Sequence, residues 1–214
     1  MTQAIVCRNR EGLVLATDSC ALRELENGRV ERLTERKLFA LSRYAAVLAV
    51  DAQLGVDLAE ELQAWLRPRN LADMTDVLAV SQDFLAEGYA RYQHAARGRP
   101  PGDRTVLRHL YFIIGGYSPA GVSSGPQAIL LDSEAGELPF KETQLGSVFA
   151  LPRRLVFEGR VTRQIAEGIS LRRLAEISRA ELQNAAERNP EAVGGPFHVA
   201  MVTAAGLEFL EDAG

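Results

Sequence analysis

Apolar and polar positions follow two different rhythms along the chain. In the first fifty residues the rhythm is that of strands. "QAIVCRN" sets Ala4 and Val6 against Ile5 and Cys7, and "GLVLAT" is a short apolar run opened by a turn glycine. "KLFALS" and "YAAVLAV" repeat the signal a few residues apart, which predicts consecutive hairpins in a sheet buried on one or both faces. From Asp51 the period changes. Leu54, Leu58, Leu62 and Leu66 recur every four residues with Glu60 and Glu61 off the stripe, which predicts an amphipathic helix. A second helix is expected from about Leu71 to Ala96, ended by the prolines and glycines of "RGRPPGDR".

Strands return in "VLRHLYFIIGGYS" and "QAILLDSEAG", joined by the glycine- and serine-rich "SPAGVSSGP". Between about Arg160 and Arg188 the positions Ile165, Leu171, Leu174, Ile177 and Leu182 predict a helix pair. "PFHVAMVTAAGLEFLED" then reads as a closing hairpin turning at Ala205-Gly206. The order lacks the strict alternation of a doubly wound sheet, so an α+β arrangement of antiparallel sheets with helices outside is expected. No repeat or linker breaks the 214 residues, and a single domain over 1–214 is expected.

Composition narrows the function. A hydrophobic content of 47% and a charged content of 24% are those of an ordinary globular protein. A net charge of -4 offers no basic surface for phosphates, so no nucleic-acid partner is expected. The longest apolar run is far below the roughly 20 residues that span a bilayer, and the start lacks a signal-peptide layout. No membrane partner is expected. Cys7 and Cys20 are too few for a disulfide framework and have no zinc spacing, which suits a cytoplasmic chain with both as small core residues. His94, His109 and His198 lack metal-ligand spacing, and Asp132-Ser133 reads as a turn at a strand end. Neither a metal nor an organic cofactor is expected. The arginine-rich "RPRN", "RGRPPGDR" and "PRRL" read as solvated loops or subunit contacts.

Chemistry enters at residue 2. Threonine is a small residue of the kind that tolerates removal of the preceding methionine, so Thr2 is expected to carry both a hydroxyl and a free α-amine. An adjacent amine can act as base for the weak hydroxyl nucleophile, and its ordinary pKa of about 7.7–8.0 already lies near working pH. Such a pair needs an electropositive neighbour and an anion to fix it, and Lys37 and Asp18 are the candidates. The chain has 22 arginines and 2 lysines. Arginine keeps its proton in a protein whereas lysine is a compact, tunable charge, so a lysine inside "KLFAL" stands out.

"MTQAIVCRNREGLVLATDSCA" followed by "ERKLFALSRYAAVLAVDAQ" resembles the opening of proteasome β-type subunits and their bacterial HslV-type and Anbu-type relatives. Thr2, Asp18 and Lys37 fall, in that order, on the family's nucleophile, acid and lysine positions. More weakly, "FIIGGYS" and "GGPFHVAMVTAAG" resemble strands of its second half. The resemblance implies a four-layer αββα sandwich of the N-terminal-nucleophile (Ntn) hydrolase type, with two antiparallel sheets between helix layers. It also implies a threonine peptidase acting on peptide or unfolded protein, self-association into a ring or stacked oligomer, and a possible ATPase partner.

The chain departs from the family pattern at several points. The segment between Asp18 and Lys37 is longer, with its tip expected near Asn27-Gly28. "YAAVLAV" has no oxyanion-hole glycine, and Val47 is the nearest positional match. "FALPRRLVFEG" replaces a Gly-Ser-Gly-like turn, and "RNPEAVGG" has no serine before its paired glycines. Ser19, beside Asp18, is a further candidate for contact with Thr2 or substrate. Two alternatives stay open: a catalytically degenerate scaffold of the same fold, and an amidohydrolase acting on a small-molecule amide.

Overall fold

The structure, a computed structural model, describes residues 2–24, 28–50, 53–97, 109–118 and 125–211. In chain order the strands are β1 (Ala4–Arg8), β2 (Gly12–Thr17), β3 (Cys20–Glu24), β4 (Val30–Thr34), β5 (Leu38–Ser42) and β6 (Ala45–Val50). Helices α1 (Gln53–Leu66) and α2 (Met74–Arg97) follow, then β7 (Tyr111–Ser118), β8 (Gly125–Asp132), β9 (Lys141–Gln144) and β10 (Val148–Leu151). The chain continues through α3 (Leu155–Ala166) and α4 (Leu171–Arg188) to β11 (His198–Thr203) and β12 (Gly206–Leu210).

Among the described residues these strands form three antiparallel sheets. One runs β10-β1-β2-β11-β12, a second β5-β6-β7-β8-β9, and β3 with β4 makes a separate ribbon. With four α-helices among the described residues, the mixed structure is of the α+β kind. The expected hairpins are β1-β2 and β5-β6. The first is closed by Asn9, whose Oδ1 accepts the N–H groups of Glu11 at 2.9 Å and Gly12 at 3.3 Å, a side chain standing in for a backbone turn.

Buried apolar side chains gather in three clusters that follow the alternation of the strands. Phe39, Val47, Ala49, Phe112 and Ile114 of the second sheet pack with Leu58 and Leu62 of α1 and Val77, Leu85 and Tyr89 of α2. The opposite parity, Leu38, Leu48 and Ile113, joins Ala4, Val6, Leu13 and Leu15 of the first sheet. The remaining face of that sheet, Ile5, Cys7, Val14 and Ala16, packs with Phe157 and Val161 of α3 and Leu171, Leu174 and Leu182 of α4. Strands enclosed on both faces need apolar residues at every position, which is why "GLVLAT" and "AAVLAV" read as unbroken runs.

Several boundaries move for identifiable reasons. The α3-α4 pair begins at Leu155 rather than about Arg160, and it is divided at Gly168, whose φ of 89° favours glycine. Ser170 then caps α4 by accepting the Arg173 N–H at 3.3 Å. The closing hairpin pairs Thr203 with Gly206, so its turn is Ala204-Ala205, one residue earlier than expected. The tip of the β3-β4 ribbon reaches Gly28 at φ 75°, while Asn27 lies outside the described residues. The same holds for most of "RGRPPGDR", for the 119–124 part of "SPAGVSSGP" and for Asp51. No described helix is long and apolar enough to cross a membrane.

Candidate active site

The ladder between β1 and β2 continues past Ala4↔Thr17 toward the chain start. Asp18 N–H donates to the Gln3 carbonyl at 3.3 Å, and Gln3 N–H donates to Asp18 Oδ1 at 2.8 Å. The residue next to Thr2 is thereby tied to the candidate acid through both its backbone groups. Asp18 Oδ2 accepts the Cys20 N–H at 3.1 Å, which holds the carboxylate on its second side.

Lys37 completes the cluster. It sits just before β5, and its carbonyl accepts the Ala49 N–H of β6 at 2.9 Å, so its position is set by the second sheet. Its Nζ donates to Asp18 Oδ1 at 3.2 Å and to the Cys20 carbonyl at 2.6 Å. The pair is out of water, with side-chain exposures of 4% for Lys37 and 0% for Asp18. Thr2, Gln3, Thr17 and Ser19 are buried with them. An apolar-rich chain thus places polar residues together at the seam where the two large sheets meet.

Ser19 is fixed to the far end of the chain. Its N–H donates to the Gly194 carbonyl at 3.0 Å and its hydroxyl to the same oxygen at 3.4 Å, while its own carbonyl accepts the Glu35 N–H at 2.8 Å. Gly194, the first of the paired glycines, therefore braces the cluster. A Cβ on Gly194 would lie 2.0 Å from Arg32 Nη2, so glycine admits the arginine, which donates to the Val193 carbonyl at 3.3 Å.

Val47 is not brought to the site. The Ala49-to-Lys37 bond makes those residues a hydrogen-bonded pair, and two positions back along the same ladder Phe39 and Val47 repeat it. The Val47 amide is spent on the sheet, and its side chain is enclosed in the cluster under α1 and α2. It can neither donate to an oxyanion nor touch substrate.

The other titratable candidates lie elsewhere. Burial pushes the Cys7 thiol up to about 12, a weak contact with the Ser178 hydroxyl at 3.6 Å notwithstanding, so Cys7 is a core residue. Cys20 contributes backbone, a role no side-chain pattern could announce. Asp132 Oδ1 accepts the Glu134 N–H at 2.8 Å, a turn bond, and Ser133 Oγ accepts the Leu110 N–H at 2.8 Å at the end of the β7-β8 ladder. His94 and His109 are exposed, His198 is half-buried, and no three His, Cys, Asp or Glu among the described residues are placed to share a metal. A cavity of about 810 Å³ between the β5-β6 hairpin and α1 has none of Thr2, Asp18 or Lys37 in its wall.

Of the "PRRL" arginines, expected in a solvated loop or subunit contact, Arg153 is exposed, whereas Arg154 is half-buried and bonded into the fold. Arg154 Nη2 donates to Gln3 Oε1 at 2.5 Å, and Arg154 Nη1 is paired with Glu181 of α4. Glu158 accepts Arg153 Nε at 3.0 Å and Nη2 at 2.6 Å, and also the Arg154 N–H at 3.0 Å. Burial pushes the Glu158 carboxyl up, but these bonds and the Arg153 charge outweigh it and hold it below its ordinary 4.5. The chain matches no protein-family model and no curated protein.

Proposed function

We propose that the chain is a threonine peptidase of the Ntn-hydrolase type, with a four-layer αββα sandwich of the proteasome-subunit kind. Two large antiparallel sheets that share one apolar cluster and each pack a helix pair on the outer face support the sandwich. The observation that carries the chemistry is the buried Lys37–Asp18 pair bonded to the backbone of Gln3. Taking two charges out of water costs several kcal/mol per ion, and a pair of this kind is weak as a stabilising device. Its position one residue from Thr2 gives it another use.

In this reading removal of Met1 frees the Thr2 amine. The amine takes the proton of Thr2 Oγ, directly or through a water, as the oxygen attacks the scissile carbonyl. Lys37 favours the developing alkoxide with its positive charge, and Asp18 fixes Lys37. The protonated amine gives that proton to the leaving nitrogen as the peptide C–N bond breaks, and water, with the amine again as base, then hydrolyses the acyl-threonine ester and restores the Thr2 hydroxyl. Peptide or unfolded protein is the substrate, and self-association with a possible ATPase partner encloses it.

The scaffold reading draws on one observation, the Val47 amide bound into the sheet, which removes the expected oxyanion donor. Turnover of a peptide library beside simple amides, by the protein and by Thr2→Ala, separates the readings. Peptide cleavage lost in Thr2→Ala supports the peptidase; amide cleavage alone moves the substrate to small molecules. Cleavage unchanged in Thr2→Ala refutes Thr2 as nucleophile, and no cleavage of either class leaves the scaffold.

A further inference from the structure

Resting on the peptidase reading, we propose that Arg154 is a positioning residue that holds Gln3, and through it Thr2, in the orientation the reaction needs. The alternation of β1 puts Ile5 and Cys7 on the face toward α3 and α4, and Ala4 and Val6 between the sheets. Carried back past Ala4, it turns the Gln3 side chain to the helices and Thr2 to the inter-sheet side. The Gln3 contact with Arg154 at 2.5 Å agrees with that assignment.

Gln3 precedes β1, where the sheet alone no longer fixes the chain. It is held instead by Asp18 at its N–H and carbonyl and by Arg154 at its side-chain oxygen. Arg154 is itself fixed at two levels. Glu158 accepts its backbone N–H at 3.0 Å, and Glu181 takes its second guanidinium nitrogen. Glu181 is anchored in turn by Arg188 at 3.0 Å and lies 4.0 Å from Arg160. A guanidinium can reach two acceptors at once because its donors form a rigid fork, whereas a lysine ammonium is a point charge on a flexible stem. An arginine of "FALPRRLVFEG" thus reaches the segment just ahead of β1.

The test compares Arg154→Met, Arg154→Lys, Gln3→Leu and the Arg154→Met/Gln3→Leu double variant in the full-length chain. Misplacing a reacting group by about 1 Å can cost on the order of a hundredfold in rate. Arg154→Met is expected to lower kcat about ten- to a hundredfold with KM within about twofold. Arg154→Lys should recover part of the loss, Gln3→Leu should match Arg154→Met, and the double variant should be no slower than either single one. An unchanged kcat, or losses that multiply in the double variant, would overturn the proposal.

Amide exchange of the same proteins gives a readout independent of turnover. Arg154→Met should speed exchange at Gln3 while Ile5, Val6 and Cys7 stay protected, and unchanged exchange at Gln3 overturns the proposal. If the unmodified protein neither turns over nor reacts at Thr2, the peptidase reading fails, and exchange still decides whether Arg154 orders the chain start. If Arg154→Met does not fold, Arg154→Lys and Gln3→Leu carry both measurements.

Discussion

Replacing Lys37 by methionine keeps the stem and removes the charge, which isolates what the ammonium does in the fold. Its two bonds, 3.2 Å to Asp18 and 2.6 Å to the Cys20 carbonyl, disappear together. Asp18 keeps the N–H groups of Gln3 and Cys20 but is left as an unpaired charge with no solvent access. Removing one partner of a buried pair costs about 3–5 kcal/mol, a large part of the roughly 5–15 kcal/mol that holds a domain folded. At about 2–4 °C per kcal/mol for a chain of this size, the midpoint should fall by roughly 6–20 °C. Asp18→Asn together with Lys37→Met removes both charges and should recover much of the loss.

The other lysine is an internal control. Lys141 pairs with Glu134 at 2.6 Å, but their side chains are 60% and 58% exposed. Water screens such a pair, so Lys141→Met should leave the midpoint where it is. Thermal and urea unfolding of the four proteins read these differences. A Lys37→Met midpoint equal to that of Lys141→Met would refute the claim that the Asp18 charge depends on Lys37.

Three further outcomes follow from the same geometry. With its pKa pushed up to about 12, Cys7 should resist iodoacetamide at pH 8 in the native protein and react once it is unfolded; labelling at the rate of a free thiol would contradict its burial. Glu158, held below its ordinary 4.5, contributes stability that is fully present above that pH and is lost as pH falls through the lower folded-state value. Glu158→Gln should therefore flatten the acid limb of a stability-against-pH curve, and an unchanged limb would rule out the Arg153 and Arg154 contacts as its source. Gly12→Ala should destabilise strongly, because a Cβ there would sit 2.2 Å from the Val202 carbonyl oxygen of the neighbouring strand, and an unchanged midpoint would mean that the β2-β11 spacing is wrong.

What the sequence disclosed depended on whether a residue's role is carried by its own side-chain pattern. The paired faces of "GLVLAT" and "YAAVLAV" and the four-residue stripe of α1 are local periodicities, and all became elements of the expected type. Asp18 and Lys37 were legible from the scarcity of lysine among the cations and from the resemblance of the opening strands to the family pattern, and the fold joins them. β9 was not legible, since all four residues of "KETQ" are exposed and only pairing with β8 defines it as an edge strand. Nor were Gln3, the Cys20 backbone, Gly194 or Arg154. Their contributions are contacts across the fold, spanning up to 175 residues between Ser19 and Gly194. Val47 was misplaced because position along an apolar run does not tell which edge of the strand an amide faces.

The central claim is that Thr2 becomes an N-terminal nucleophile served by the Lys37–Asp18 pair. Its most direct test is the intact mass of the protein, purified from its own host, after incubation with a peptide epoxyketone, which reacts with a threonine hydroxyl and its free α-amine together. The expected result is a species lacking Met1 and carrying one inhibitor, with neither Thr2→Ala nor Lys37→Met labelled. A full-length, unlabelled mass would contradict the claim.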